Sequence, residues 1–224
     1  RVHEEVVSVD NSTAGTDRDG QVKMFREAAL GLADAAKERR DNMQEKIARV
    51  VEIINRPENK DAHFLLWHDL ENERKALCDA IPGCKAVYGS QDDDEADKVI
   101  ADFKDGRLKY LAAKPEMLGE GLNFQYHCHK AIMFIDYRFN DKFQAIARIY
   151  RFMQQHPVDL YLVYAESEGE IYKSFMQKWA QHREMVAKMT DIVRENGLFG
   201  LQAEEKMMRW MFASREEKSG KLWR

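Results

Sequence analysis

Apolar and polar positions follow two rhythms along this chain, and the change of rhythm divides it. Val22, Phe25, Ala29, Leu32 and Ala36 recur at three-to-four spacing, as do Met43, Ile47, Val50 and Ile54. That period predicts helix over 21–55, as one helix or as two with a break near Arg39–Asp41. A short strand over 4–9 and a polar loop over 10–20 precede it, and Arg56-Pro-Glu-Asn-Lys60 is the exit turn. From His63 onward short apolar runs alternate with amphipathic stretches. The runs Phe64–Trp67, Lys85–Tyr88, Leu108–Ala113, Ala131–Ile135 and Val158–Tyr164 predict strands. Between them, helices are predicted over 70–81, over 90–103 with Ser90 as N-cap, and over 141–152. A long helix over 169–194 carries Ile171, Phe175, Trp179, Val186, Met189 and Val193 on one stripe, and Asn196-Gly197 ends it. Five strands alternating with helices predict an α/β fold with a mainly parallel sheet flanked by helices, built from right-handed crossovers. The organisation expected is a lead-in over 1–60, the α/β domain over 61–180, and a helical extension over 181–224.

Composition narrows the class. The chain has 224 residues, 44% of them apolar, enough for one large or two small domains. It contains no unbroken apolar run of about 18 residues, so no membrane partner is expected. A net charge of −4 gives no general attraction to nucleic acid, so any DNA contact must be a local patch. Three cysteines, Cys78, Cys84 and Cys128, are few and odd in number, which points to a reducing, cytoplasmic setting. No signal peptide is visible, and a start at Arg1 rather than Met suggests a piece of something longer. The tail residues Met207, Met208, Trp210, Met211 and Phe212 read as a core-packing helix, or as a docking face for another domain.

The segment Gln144-Ala-Ile-Ala-Arg148-Ile-Tyr-Arg151-Phe-Met-Gln154 carries the most chemistry. On a continuous helix Gln144, Arg148 and Arg151 project from one face. Two guanidiniums and an amide together suit an array of anionic oxygens, because arginine donates in a rigid fork and keeps its charge. A solvated basic face is the plainer reading. The helix follows the strand ending at Ile135, and ligand sites in open α/β sheets lie past the carboxyl ends of strands. Gly119-Glu-Gly-Leu-Asn123 lacks the third glycine of a dinucleotide fingerprint, since Phe124 stands there. Its glycines would let backbone N–H groups approach a phosphate or ribose, or simply make a turn. Gly89-Ser90 at a helix start could bind phosphate or serve as a cap. His127-Cys-His129 with Cys78 and Cys84 lacks zinc-type paired spacing, and no metal site is predicted. Tyr126–His129 reads as a connector beside the strand at Ala131, and the Asp/Glu pairs as solvated faces.

Taken in order, His63–Trp67, Val87-Tyr-Gly-Ser90, Leu111-Ala-Ala-Lys-Pro115, Gly119-Glu-Gly-Leu-Asn-Phe-Gln125 and Gln144…Arg148…Arg151…Gln154 resemble the second, C-terminal RecA-like domain of superfamily-two helicases. The texture is similar to Swi/Snf-like DNA translocases of phages and bacterial mobile elements, over about residues 61–178. Two positions depart from that pattern. Arg151-Phe-Met-Gln154 stands where relatives usually read Arg-x-Gly-Gln, and Lys114-Pro115 replaces a common serine or threonine.

The resemblance implies an ATP-hydrolysing DNA translocase or helicase, of which this chain is the C-terminal half. ATP and Mg²⁺ would be bound mainly by an N-terminal RecA-like ATPase domain of the same protein. That half would bring the phosphate loop and the Asp-Glu box that this sequence lacks. Arg148 and Arg151 would act as arginine fingers, and Gly119, Gly121, Asn123 and Gln144 would face the nucleotide. Gly89, Ser90 and Lys114 would touch the backbone of double-stranded DNA. Alone, the fragment is expected to be monomeric and nearly inactive. A second reading, a RecA-like docking module without ATP turnover, stays open on the Met153 departure.

Overall fold

The computed structural model describes residues 1–8, 42–118, 122–136, 138–151 and 153–196. The loop expected over 10–20, the helix expected from 21 to 41, the glycines Gly119 and Gly121, and the tail around Met207–Phe212 lie outside the described residues.

Six parallel strands form one sheet. They are β1 (Val2–Val7), β2 (His63–Trp67), β3 (Cys84–Val87), β4 (Tyr110–Ala113), β5 (Cys128–Phe134) and β6 (Asp159–Ala165). Their order across the sheet is β1-β6-β5-β2-β4-β3. The central strands are buried on both faces, which is why β2, β5 and β6 read as continuous apolar runs rather than alternating ones. The expected strand near the start is the edge strand β1, paired in parallel with β6 from Val2↔Leu160 to Val7↔Ala165.

Five helices are described: α1 (Met43–Ile54), α2 (Glu71–Ala80), α3 (Asp93–Lys104), α4 (Phe139–Ile146) and α5 (Gly169–Asn196). On one sheet face Ile47, Val50, Ile53 and Ile54 of α1 and Leu77 of α2 pack against Phe64, Leu66, Ala112, Ile132, Phe134 and Val163. Strand alternation sends Leu65, Trp67, Leu111, Ala131, Met133 and Leu162, all at most 1% exposed, to the other face. There Phe103 of α3 meets Phe124 edge-on at 5.2 Å, and Phe139 of α4 meets Phe175 of α5 at 5.3 Å. The chain divides into two compact units, Arg1–Phe175 and Met176–Arg224. The sheet lies in the first, and the second contains the rest of α5. Among the described residues no helix is long and apolar enough to cross a membrane.

Three local expectations are corrected. The cap of α3 is Asp92, not Ser90: its carboxylate accepts from Asp94 N at 3.1 Å and Glu95 N at 3.4 Å. An ionised oxygen outcompetes a hydroxyl placed two residues too early. Cys128 and His129 belong to β5 rather than to a connector. The next residue, Lys130, is 7% exposed because its ammonium reaches Asn59 Oδ1 and Glu58 O. Finally, α4 ends at Ile146, so the arginines do not share one continuous helix with Gln144.

Candidate nucleotide- and nucleic-acid-facing site

Beyond Ile146 the backbone continues in looser turns, with Arg148 N donating to Ala145 O and Ile149 N to Ile146 O. The segment then runs back toward the amino end of β5. Gln154 Nε2 donates to Cys128 O at 3.1 Å and to Ile149 O at 3.2 Å, which pins its far end. Between these anchors Phe124 N donates to Arg148 O at 3.2 Å, and Arg151 Nη1 donates to Asn123 Oδ1. The glycine-loop segment and the arginine segment are therefore stitched together twice. Arg148 is half-buried, and its Nε is buried without a hydrogen-bond partner among the described residues. Arg151 is exposed, and so is Gln144, which makes none of these bonds.

Met153 explains the departure from Arg-x-Gly-Gln in backbone terms. Its φ is +72°, the one non-glycine residue with positive φ among those described. That conformation favours glycine, because a Cβ there crowds the following carbonyl. A glycine at this position, as in the resembled pattern, would suit the backbone that this chain adopts with a methionine.

Gly89, Ser90 and Lys114 follow the carboxyl ends of the neighbouring strands β3 and β4, whose last residues, Val87 and Ala113, are register partners. Gly89 and Ser90 are exposed, and Lys114 is half-buried at the start of the 3-10 turn Pro115–Met117. A Cβ at Gly89 would touch Met117 Sδ at 3.7 Å, an ordinary contact, so this glycine is not sterically required.

Next to that surface lies a cluster that periodicity did not reveal. His68 follows β2 directly, is 0% exposed, and has neither ring nitrogen hydrogen-bonded among the described residues. Burial lowers its pKa to about 4; Glu73 and Asp69 oppose that shift, and Lys114 adds to it. The ring is therefore neutral at pH 7. Glu73 fixes the turn after it, accepting from Asp69 N at 2.9 Å and Leu70 N at 3.0 Å. Asp69 in turn binds Lys142, which is 0% exposed, and Arg138 Nη2 at 2.9 Å. Arg138 Nε also donates to Asp136 Oδ2 at 3.0 Å. Two aspartates and two cations thus join the ends of β2 and β5 to α4. The side chains of these two aspartates are largely buried, unlike the exposed acidic run Asp92–Glu95. The available signal was their placement, with Asp69 and Asp136 each within two residues of a buried strand's carboxyl end. A second buried pair, Lys46 with Glu168 at 3.0 Å, ties α1 to the turn after β6.

No protein-family model matches the chain, and no curated protein sequence does. Solved structures do. The C-terminal part of the Fun30 ATPase domain is similar over 58% of this chain and 44% of that one, at 16% identity and a TM-score of 0.52. The C-terminal domain of S. cerevisiae Dbp5, solved with Gle1 and IP6, matches over 62% of this chain and 80% of its own, at 14% identity and a TM-score of 0.50. A longer Dbp5 chain, also with Gle1 and IP6, matches over 74% and 49%, at 13% identity and a TM-score of 0.50. This chain thus spans less than half the length of the Fun30 structure. At such identities likeness speaks to the fold alone, and the parallel six-stranded sheet flanked by helices is the RecA-like fold of these C-terminal domains.

Proposed function

We propose that this chain is the C-terminal half of an ATP-dependent DNA translocase or helicase and supplies its arginine fingers. The observation that carries this reading is the double link between Asn123–Phe124 and Arg148–Arg151. It assembles, at one place on the fold, residues that sequence spacing alone keeps apart. The fit to a nucleotide rests on the guanidiniums. Arg148 has a buried Nε with no partner among the described residues, and Arg151 is exposed with donors beyond the one given to Asn123. Such groups suit the non-bridging oxygens of a γ-phosphate.

ATP, when bound, supplies the phosphoryl group whose charge the fingers stabilise. What this chain's residues do is hold Arg151 by Asn123, hold the Arg148 backbone by Phe124, and anchor the segment through Gln154. Mg²⁺ is assigned to the N-terminal RecA-like half, which would bring the Asp-Glu box that this sequence lacks. Duplex DNA would lie against Gly89, Ser90 and Lys114. A net charge of −4 confines the contact to this local surface.

The test uses the whole motor. Arg151→Ala should lower DNA-stimulated kcat by about 10³-fold, the scale of arginine fingers, with little change in Tm because the side chain is exposed. Near-normal turnover with a lowered Tm would show a structural segment instead. The second reading, docking without turnover, is favoured by Met153 standing in a glycine-type conformation. It predicts no DNA-stimulated hydrolysis by the whole protein.

A further inference from the structure

We propose that Cys78 and Cys84 are a modification site: a peroxide oxidises Cys78, and Cys84 resolves it to a reversible disulfide. The two sulfurs are 4.0 Å apart, one on the last turn of α2 and the other on the first residue of β3. A disulfide needs about 2.05 Å between them, so roughly 2 Å must close. The intervening Ile81-Pro-Gly83 turn is built for tight reversal, with Gly83 at φ +79°.

The two thiols differ in the way this reaction requires. Cys78 is half-buried and reachable by a small oxidant, whereas Cys84 is 8% exposed. The hydrogen bond shared with Cys84 lowers the Cys78 pKa to about 7 against the cost of burial, and Arg74 and Lys85 lower it further while Asp79 opposes them. Cys84 is pushed well above the usual thiol range by the same hydrogen bond and by burial. Cys78 is therefore the nucleophile, since the thiolate is the reacting form. Its sulfur attacks one peroxide oxygen, the O–O bond breaks, and the departing hydroxide takes a proton to leave as water. Cys84 sulfur then attacks the sulfenic sulfur of Cys78, the S–O bond breaks, and hydroxide leaves as water with the Cys84 proton. Two thiols lose two electrons and hydrogen peroxide becomes two waters. Cys128 is an internal control: burial raises its pKa to about 12, and its single S–H lies within reach of two carbonyls, Lys130 O at 3.2 Å and His63 O at 3.4 Å.

Trypsin releases both cysteines in one peptide, residues 76–85. The chain is treated with hydrogen peroxide, alkylated under denaturing conditions, digested and weighed. The expected product is a 76–85 peptide lighter by two hydrogens and unalkylated until dithiothreitol is added, with Cys128 alkylated throughout. In Cys84→Ser the sulfenic acid at Cys78 should persist and be trapped by dimedone. In Cys78→Ser, and in Cys78→Ala as a check on folding, oxidation of Cys84 should slow by at least about tenfold. The proposal is overturned if the peptide stays doubly alkylated. It is equally overturned if Cys78 proceeds to sulfinic acid with Cys84 free, or if Cys84 oxidises at the wild-type rate in the Cys78 variants.

Discussion

Replacing Met153 isolates a single backbone term. Its φ of +72° costs an L-residue about 1–2 kcal/mol, and glycine removes that cost while adding about 0.5–1 kcal/mol of unfolded-state entropy. Met153 is 58% exposed, so truncation removes little burial, and Met153→Gly and Met153→Ala differ in what they remove only by one methyl group. Alanine keeps the strain and glycine does not. The glycine variant should therefore be more stable than the alanine variant by about 0.5–1 kcal/mol. For a chain of this length that is a Tm difference of roughly 1–4 °C. Urea denaturation and thermal melts followed by circular dichroism measure it, and the slope with urea should not change. An alanine variant as stable as the glycine one would refute the argument and place the backbone at 153 in the ordinary right-handed region. On the proposed function, the glycine variant of the whole protein should retain ATP turnover, since Gln154 and Arg151 keep their anchors at Cys128 and Asn123.

The remaining expectations are as follows. His68 is buried neutral with a pKa near 4, below its unfolded value of about 6.5, so the unfolded chain binds a proton that the folded chain refuses. Its contribution is complete above pH 6.5 and falls by about 3 kcal/mol as pH drops to 4. His68→Gln should flatten the fall between pH 6.5 and 4.5 relative to wild type, and parallel pH-stability curves would count against it. Lys46→Met leaves Glu168 buried at 1% exposure without its cation and should cost about 3–5 kcal/mol. Adding Glu168→Gln, which keeps an acceptor for Ala165 N, should recover most of that loss in urea melts. If the proposed function holds, Lys114→Ala in the whole protein should weaken unrelated duplexes alike and reduce the salt slope by about 0.9. A loss on one duplex only would mean that this surface reads bases.

Strands whose residues are apolar on both faces were legible from composition alone, as Phe64–Trp67 and Val158–Tyr164 show within a residue or two. Helix α1 followed from the spacing of Ile47, Val50 and Ile54. What periodicity could not give is any feature decided by a distant partner. Lys46 and Glu168 lie 122 positions apart, and Lys142 and Asp69 lie 73 apart; each residue alone reads as solvated. The start of β5 was missed because His129 and Lys130 look polar, and only Asn59 and Glu58 show how a lysine is accommodated there. The end of α4 at Ile146 carries no proline or glycine to announce it. The constraints evident there are the Phe124–Arg148 bond and the Gln154 anchor. The arginine pair was therefore found by its spacing, while its geometry was set by a loop more than twenty residues upstream.

The pairing of β1 with β6 has a consequence for how the chain is made. Strand β1 ends at Val7 and its neighbour in the sheet among the described residues begins at Asp159, so roughly 150 residues must be synthesised before the two can meet. At typical ribosomal speeds that is a wait of roughly 10–30 s, during which Val2, Val6 and Val7 have no sheet to join. Of the side-chain links that seat this strand, Arg56 with Glu5 joins two early parts of the chain, whereas the hydrogen bond between His3 and Asp159 waits for β6 as the backbone pairing does. Strand β1 is therefore made before the other described strands of this sheet and is the last of them to find its place. Until then it is an open template for any other extended chain in the vicinity.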